Sequence, residues 1–141
     1  MNKNLFTKKP LTLLVIILAM ALTACGTSGS STKINFTMTD FAFTPSEFKI
    51  PAGKEITLHI THNGMVAHNF IVMKYGTDAG DMFDEADRPN VFWEMDLQPG
   101  DSKTVIFTAP EKPGTYQILC GMAGHLQSGM VGELIVTNKP G

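Results

Sequence analysis

From residue 34 onward, apolar side chains fall at every second position in short runs. Ile34, Phe36 and Met38 alternate with polar neighbours, and Ile56, Leu58 and Ile60 alternate with Thr57, His59 and Thr61. A period of two turns one face of an extended chain toward a core and the other toward water. Further strands are expected at 47–50, 68–74, 91–96, 103–108, 115–120 and 131–137, making about eight in all. Between them lie Pro51-Ala52-Gly53, His62-Asn63-Gly64, Pro99-Gly100-Asp101 and Lys112-Pro113-Gly114, residues that favour turns. Short strands broken by turn signals at this spacing predict an all-β sandwich or barrel. One stretch departs from the pattern. Residues 77–90 lack apolar periodicity and carry Asp78, Asp81, Asp84, Glu85 and Asp87, which predicts a long acidic loop with one helical turn. The chain has no internal repeat.

The first residues follow different rules. Lys3, Lys8 and Lys9 precede an almost unbroken apolar run at 11–22. That run is too short for the roughly 20 residues that span a bilayer, and it reads as the core of a signal peptide. Leu22-Thr23-Ala24-Cys25 follows and resembles a bacterial lipobox, in which the cysteine is acylated and the chain is cut just before it. The expected organisation is a signal peptide at 1–24, lipidated Cys25 with a flexible Gly/Ser/Thr tether at 25–33, and one domain at 34–138. The mature chain would be exported. It would be anchored by lipid at the outer face of the cytoplasmic membrane, or lie in the periplasm.

Charge and cysteine count narrow the field. The whole chain carries a formal net charge of −2. Loss of the three N-terminal lysines leaves eight basic residues against thirteen acidic ones, near −5, and nothing suggests a nucleic-acid partner. With Cys25 lipidated, Cys120 is the one thiol of the exported domain and has no internal disulfide partner. In an oxidising compartment such a thiol is a liability unless it is buried or held by a metal.

Cys120-Gly-Met-Ala-Gly-His125-Leu-Gln-Ser-Gly-Met130 carries the candidate chemistry. Tyr116, Ile118 and Cys120 share one face of an expected strand, and the next strand begins at Val131, so His125 and Met130 lie on the loop between. Thiolate, imidazole and thioether suit copper, and a fourth donor is available in His68 at the start of another strand. A His₂Cys set with a weak axial methionine is the blue copper arrangement, used for electron transfer.

These residues resemble the cupredoxins, the plastocyanin–azurin class of small blue copper proteins. The matching segments are Ala67-His68-Asn69-Phe70, Pro113-Gly114-Thr115-Tyr116 leading to Cys120, and Gly129-Met130-Val131-Gly132. Four residues stand on each side of His125, a spacing more like the longer loop of auracyanins and rustacyanins than that of plastocyanin. The resemblance implies a Greek-key β-sandwich holding one type 1 copper through His68, Cys120, His125 and Met130. It also implies that Asn69 pins the cysteine loop by hydrogen bonding. Gly121 stands directly after Cys120, where no serine or threonine is present, so the partner of Asn69 there would be backbone. The protein would be a monomer that exchanges single electrons with redox proteins such as c-type cytochromes or a terminal oxidase or other respiratory complex.

The other histidines have plainer readings. His59 is expected on the polar side of its strand, and His62, ahead of Asn63-Gly64, is expected in a turn, where it is the rival to His68 as ligand. Trp93 reads as core. Met65, Val66 and Ala67, together with Met122, Ala123, Gly124 and Leu126, are expected to form one apolar docking patch around the edge of His125. Met65, Met122 and Leu126 are its main contacts. A copper oxidase or nitrite reductase needs a second, histidine-rich cluster, which four histidines with no His-x-His pair do not supply. An extracytoplasmic copper carrier without an electron-transfer role is the alternative function.

Overall fold

The computed structural model describes residues 29–138. The signal peptide and Cys25 lie outside them. Nine strands make up the domain: β1 (Lys33–Thr39), β2 (Ala42–Thr44), β3 (Glu47–Pro51), β4 (Glu55–His62), β5 (His68–Met73), β6 (Val91–Leu97), β7 (Ser102–Thr108), β8 (Gly114–Leu119) and β9 (Val131–Thr137). They form two sheets, ordered β2-β1-β4-β7 and β3-β9-β8-β5-β6. Both are mixed, since β1 runs parallel to β4 and β3 parallel to β9. The all-β expectation holds. The additional strand is β2, three residues too short to show an alternation of its own, and it exists because Thr37–Thr39 of β1 offer it a pairing edge.

The alternation seen in the sequence becomes the sandwich core. Phe36, Met38, Ile56, Leu58 and Ile60 from one sheet meet Phe48, Ile50, Phe70, Val72, Tyr116, Ile118, Leu134 and Val136 from the other. Burying each large apolar side chain contributes roughly 1.5–3 kcal/mol. Trp93 is only partly buried, and it stacks on Phe107 with ring centroids 4.9 Å apart.

Strand β5 differs from the rest because all six of its residues are buried. Phe70 and Val72 face the main core, while Ile71 and Met73 join Leu119 and Ala79 in a second, smaller cluster. The acidic stretch at 77–90 supplies part of that cluster's cover. Ala79 lies within it and Phe83 packs against it, while the expected helical turn appears as a 3-10 turn at Arg88–Asn90. Asp78, Asp81, Asp84 and Glu85 face water, while Ala79 and Phe83 anchor the loop.

Candidate metal centre

The alternation of β4 runs one step further than its turn signal suggests. Ile56, Leu58 and Ile60 are buried, and so is His62, the last residue of the strand, at 1 % exposure. His62 is therefore a core residue rather than a turn residue, as strand parity requires. Its ring stacks on that of His68 at 4.8 Å between centroids and 21° between planes. His62 Nδ1 accepts the Gly64 N–H at 3.0 Å. Nε2 is buried with no hydrogen-bond partner among the described residues. His59 is exposed, as expected, and bonds Thr104.

His68 opens β5, and Cys120 follows directly after β8; both are fully buried. His125 lies on the loop between β8 and β9 and is partly buried. The three converge. His68 Nδ1 and His125 Nδ1 are 3.0 Å apart, and Cys120 Sγ lies 3.8 Å from the first and 3.3 Å from the second. Among the described residues these three form a group whose donor atoms all lie within 4.8 Å of one another. Two donors bound tetrahedrally at roughly 2.0–2.3 Å to one ion stand about 3.3–3.8 Å apart. His68 donates Nε2–H to Asp40 Oδ1 at 2.8 Å, so its neutral ring turns the lone pair of Nδ1 toward the other two donors. An inward-facing lone pair, a second imidazole and a thiol fit a shared soft cation.

The loop is shaped by its backbone. Cys120 N–H donates to Met130 O, and Met130 N–H donates to His125 O, both at 3.0 Å. Gly124 and Gly129 take positive φ values of 83° and 93°, a conformation that costs a side-chain-bearing residue more than glycine. These bonds tie Met130 to both loop ligands, and its side chain is fully buried in the core cluster that contains Cys120.

Asn69 sits where the resemblance implies. Its N–H points to Cys120 Sγ at 3.5 Å, and its side-chain Oδ1 accepts the Gly121 N–H at 2.7 Å. The structure also gives a reason for glycine at 121. A Cβ there would lie 2.6 Å from Phe83 Cδ1 and 2.8 Å from Ile71 Cδ1. Phe83 of the acidic loop and Ile71 of β5 pack so closely on the residue after the thiol that a side chain there would force one of them to shift.

Burial has opposite effects on the two buried donors. It pushes the Cys120 thiol upward, opposed by the backbone N–H groups of Asn69 and Met122. It pushes His68 below its ordinary value, opposed by the hydrogen bond to Asp40. Both shifts favour the neutral side chain, so a metal must displace the thiol proton but finds the imidazole already free.

Several residues around the site were not legible as functional. Asp40 and Phe41 lie in the turn between β1 and β2 and carry no motif. Phe41 sets its ring edge-on to His125 at 4.7 Å and to His68 at 6.1 Å. Only the parity of β4 offered a signal for His62. Of the expected docking residues, Met65 is 85 % exposed. Met122 is partly buried against the main core, and Leu126 is partly buried against the smaller cluster.

The donor set, two imidazoles and a thiol with buried Met130 tied by its backbone to Cys120 and His125, fits the class of blue copper electron-transfer sites. A model of the cupredoxin-like domain family matches residues 11–136. Auracyanin-A of Chloroflexus aurantiacus is 30 % identical over 84 % of this chain and 90 % of its own. Its solved structure, described as that of a "blue" copper protein, aligns with a TM-score of 0.57 at 28 % identity over 74 % of this chain and 99 % of that one. The dithionite-reduced auracyanin of Roseiflexus castenholzii aligns with a TM-score of 0.65 at 33 % identity, covering 77 % of this chain and 99 % of that one. Plastocyanin of Mercurialis perennis is 31 % identical over 69 % of this chain and 89 % of its own. The chain belongs to the cupredoxin family, and its cofactor is one type 1 copper ion.

Proposed function

We propose that this cupredoxin is a lipid-anchored, extracytoplasmic carrier of single electrons, in which His68, Cys120, His125 and Met130 would hold the copper. The observation that carries this reading is the convergence of two ring nitrogens and one thiol from two strand ends and a loop. Copper bound there supplies the Cu(II)/Cu(I) one-electron couple.

The protein's own part is to keep its donors still and the centre dry. Three of the four, His68, Cys120 and Met130, are fully buried. His68 is held by a hydrogen bond on one edge and a stacked ring on one face; the Asn69 N–H points to the Cys120 sulfur, and the Asn69 side chain holds the N–H of the next residue, Gly121. Donors fixed in this way move little when the charge of the centre changes, which keeps reorganisation small.

Of the residues that would hold copper, His125 is the one nearest solvent, and its edge would be the route for electrons. Phe41 flanks it, and next to Phe41 the loop bearing exposed Met65 and Val66 is tied to Asp40. Elsewhere on the ligand loop, Met122, Ala123, Gly124 and Gln127 line a hollow of about 130 Å³ with Met82 and Phe83. A small apolar face of this kind suits the brief encounters of redox partners, such as a c-type cytochrome or a respiratory oxidase. Asp81, Asp84 and Glu85, on the same loop as Met82 and Phe83, would steer a basic partner at low ionic strength.

The optical spectrum of copper-loaded protein tests the reading. Thiolate-to-copper charge transfer is expected to give strong visible absorption, which Cys120→Ser abolishes. Copper bound without that band would favour a carrier or storage role instead. Among the described residues no helix is long and apolar enough to cross a membrane, and attachment is assigned to Cys25. Cys25→Ser is expected to leave an unprocessed precursor or a lipid-free protein. A processed variant that still partitions into detergent would place the anchor elsewhere.

A further inference from the structure

We propose that Asp40 is a positioning residue for the copper: its carboxylate holds His68 by Nε2–H so that Nδ1 faces the metal, and its negative charge lowers the reduction potential. The inference rests on the blue copper reading above. Asp40 lies in the turn between β1 and β2, yet only 25 % of its side chain is exposed. One oxygen accepts His68 Nε2–H at 2.8 Å and Val66 N–H at 3.5 Å, while the other accepts Met65 N–H at 2.8 Å. The carboxylate thus joins the β1–β2 turn, the loop before β5 and the remote edge of a ligand ring. Gly64 leaves it room, since a Cβ at that position would collide with Asp40 Oδ1. The stacked His62 ring on the face of His68 leaves the imidazole few other orientations.

The chemistry follows from the charge. An imidazole whose remote N–H is bonded to an anion is more basic at its other nitrogen, and such partners fix both tautomer and orientation. A better donor with a carboxylate behind it stabilises Cu(II) more than Cu(I), because the more highly charged ion gains more from nearby negative charge. By contrast, His125 has no carboxylate among its hydrogen-bond partners in the described residues; its ring Nδ1 faces His68 and Cys120. The two imidazoles are therefore unequal, with the buried one carrying the anionic support.

The test is the reduction potential of copper-loaded protein, measured by spectroelectrochemistry beside the visible spectrum. Asp40→Asn is expected to keep the charge-transfer band and raise the potential. Loss of such outer partners typically changes metal affinity by about 10–100-fold. If it falls on Cu(II) alone, each tenfold is about 59 mV for one electron. Asp40→Glu, which keeps a carboxylate on a longer stem, is expected to fall between wild type and Asp40→Asn. A merely structural Asp40 would lower the unfolding temperature of its variants and leave the potential unchanged. A blue Asp40→Asn protein with the wild-type potential overturns the proposal. Wild type without the band overturns the blue copper reading instead. If no variant at 40 folds, ¹⁵N NMR of Cu(I)-loaded wild type still decides. His68 is expected to carry a slowly exchanging proton on Nε2, and a proton on Nδ1 overturns the assignment.

Discussion

The two histidines that face each other across the metal centre are held in opposite ways. His68 begins a strand buried along its whole length, stacked on His62 and bonded to Asp40. His125 sits on the nine-residue stretch between Cys120 and Met130 whose other members are mostly exposed, and its position depends on backbone hydrogen bonds within that loop. One side of the site is part of the core; the other is a loop fastened to the core at its two ends. A carrier needs both. The buried side keeps the ligand geometry fixed, and the loop brings one ligand to the surface where a partner can approach.

Removing the donor that links the two sides should have the largest effect. Cys120→Ser is expected to bleach the copper-loaded protein completely, measured as loss of the visible charge-transfer band. Next comes the fastening of the loop. Asn69→Ala leaves the Gly121 N–H without its side-chain acceptor, and an orphaned polar group of this kind costs about 1–3 kcal/mol. Urea unfolding of the metal-free protein measures it, and an unchanged midpoint would show that the loop does not depend on Asn69.

Gly121→Ser probes the same joint from the other direction. The new side chain meets Phe83 and Ile71, and overpacking typically costs about 1–3 kcal/mol. Shortening the obstacle, as in Gly121→Ser with Phe83→Ala, is expected to recover part of the loss if the clash is its cause. A double variant whose loss is the sum of the two single losses would refute that.

Met130→Leu is expected to keep copper and colour while raising the reduction potential, because it removes a weak donor that favours Cu(II). An unchanged potential would make Met130 a core residue only. On the surface, Met65→Glu should slow electron transfer to the physiological partner several-fold without changing the spectrum or the stability, since Met65 is 85 % exposed. Leu126→Glu is the less specific probe, because Leu126 also packs against the cluster of Ile71, Met73 and Leu119. Equal rates for Met65→Glu and wild type would move the docking face away from this loop.

The smallest effect concerns pH. Burial depresses His68 below its ordinary value of 6.5, so the folded metal-free protein holds it neutral. A depressed value contributes stability that is fully present above 6.5 and is lost as pH falls from there toward the folded value. Unfolding midpoints of metal-free protein between pH 7.5 and 5 are expected to decline gently. Asp40→Asn should steepen the decline, because the Asp40 carboxylate is what favours the charged ring.

How much of this was visible beforehand differs between the two sides of the site. The strands were legible, since Phe36, Met38, Ile56, Leu58 and Ile60 each obey a period of two that the sheets then use. So was the grouping of His68, Cys120 and His125, because Cys120 and His125 are close in sequence and His68 is followed by Asn69. Strand β2 was not legible, as three residues carry no period. His62 was misjudged because the adjacent Asn63-Gly64 turn signal outweighed the parity that places it with Ile56, Leu58 and Ile60 inside.

By itself, the sequence determined what depends on neighbours along the chain: the alternating strands, the turns between them and the spacing of the ligand loop. Tertiary structure alone decided what depends on neighbours across it. Asp40 reaches His68 over 28 positions, His62 stacks on it only because β4 and β5 place their ends together, and Phe83 crowds position 121 from 38 positions away. Local preferences are set by the few residues that share a turn or a pleat. Contacts between distant residues exist only after the sheets have packed, and no periodicity along the chain encodes them.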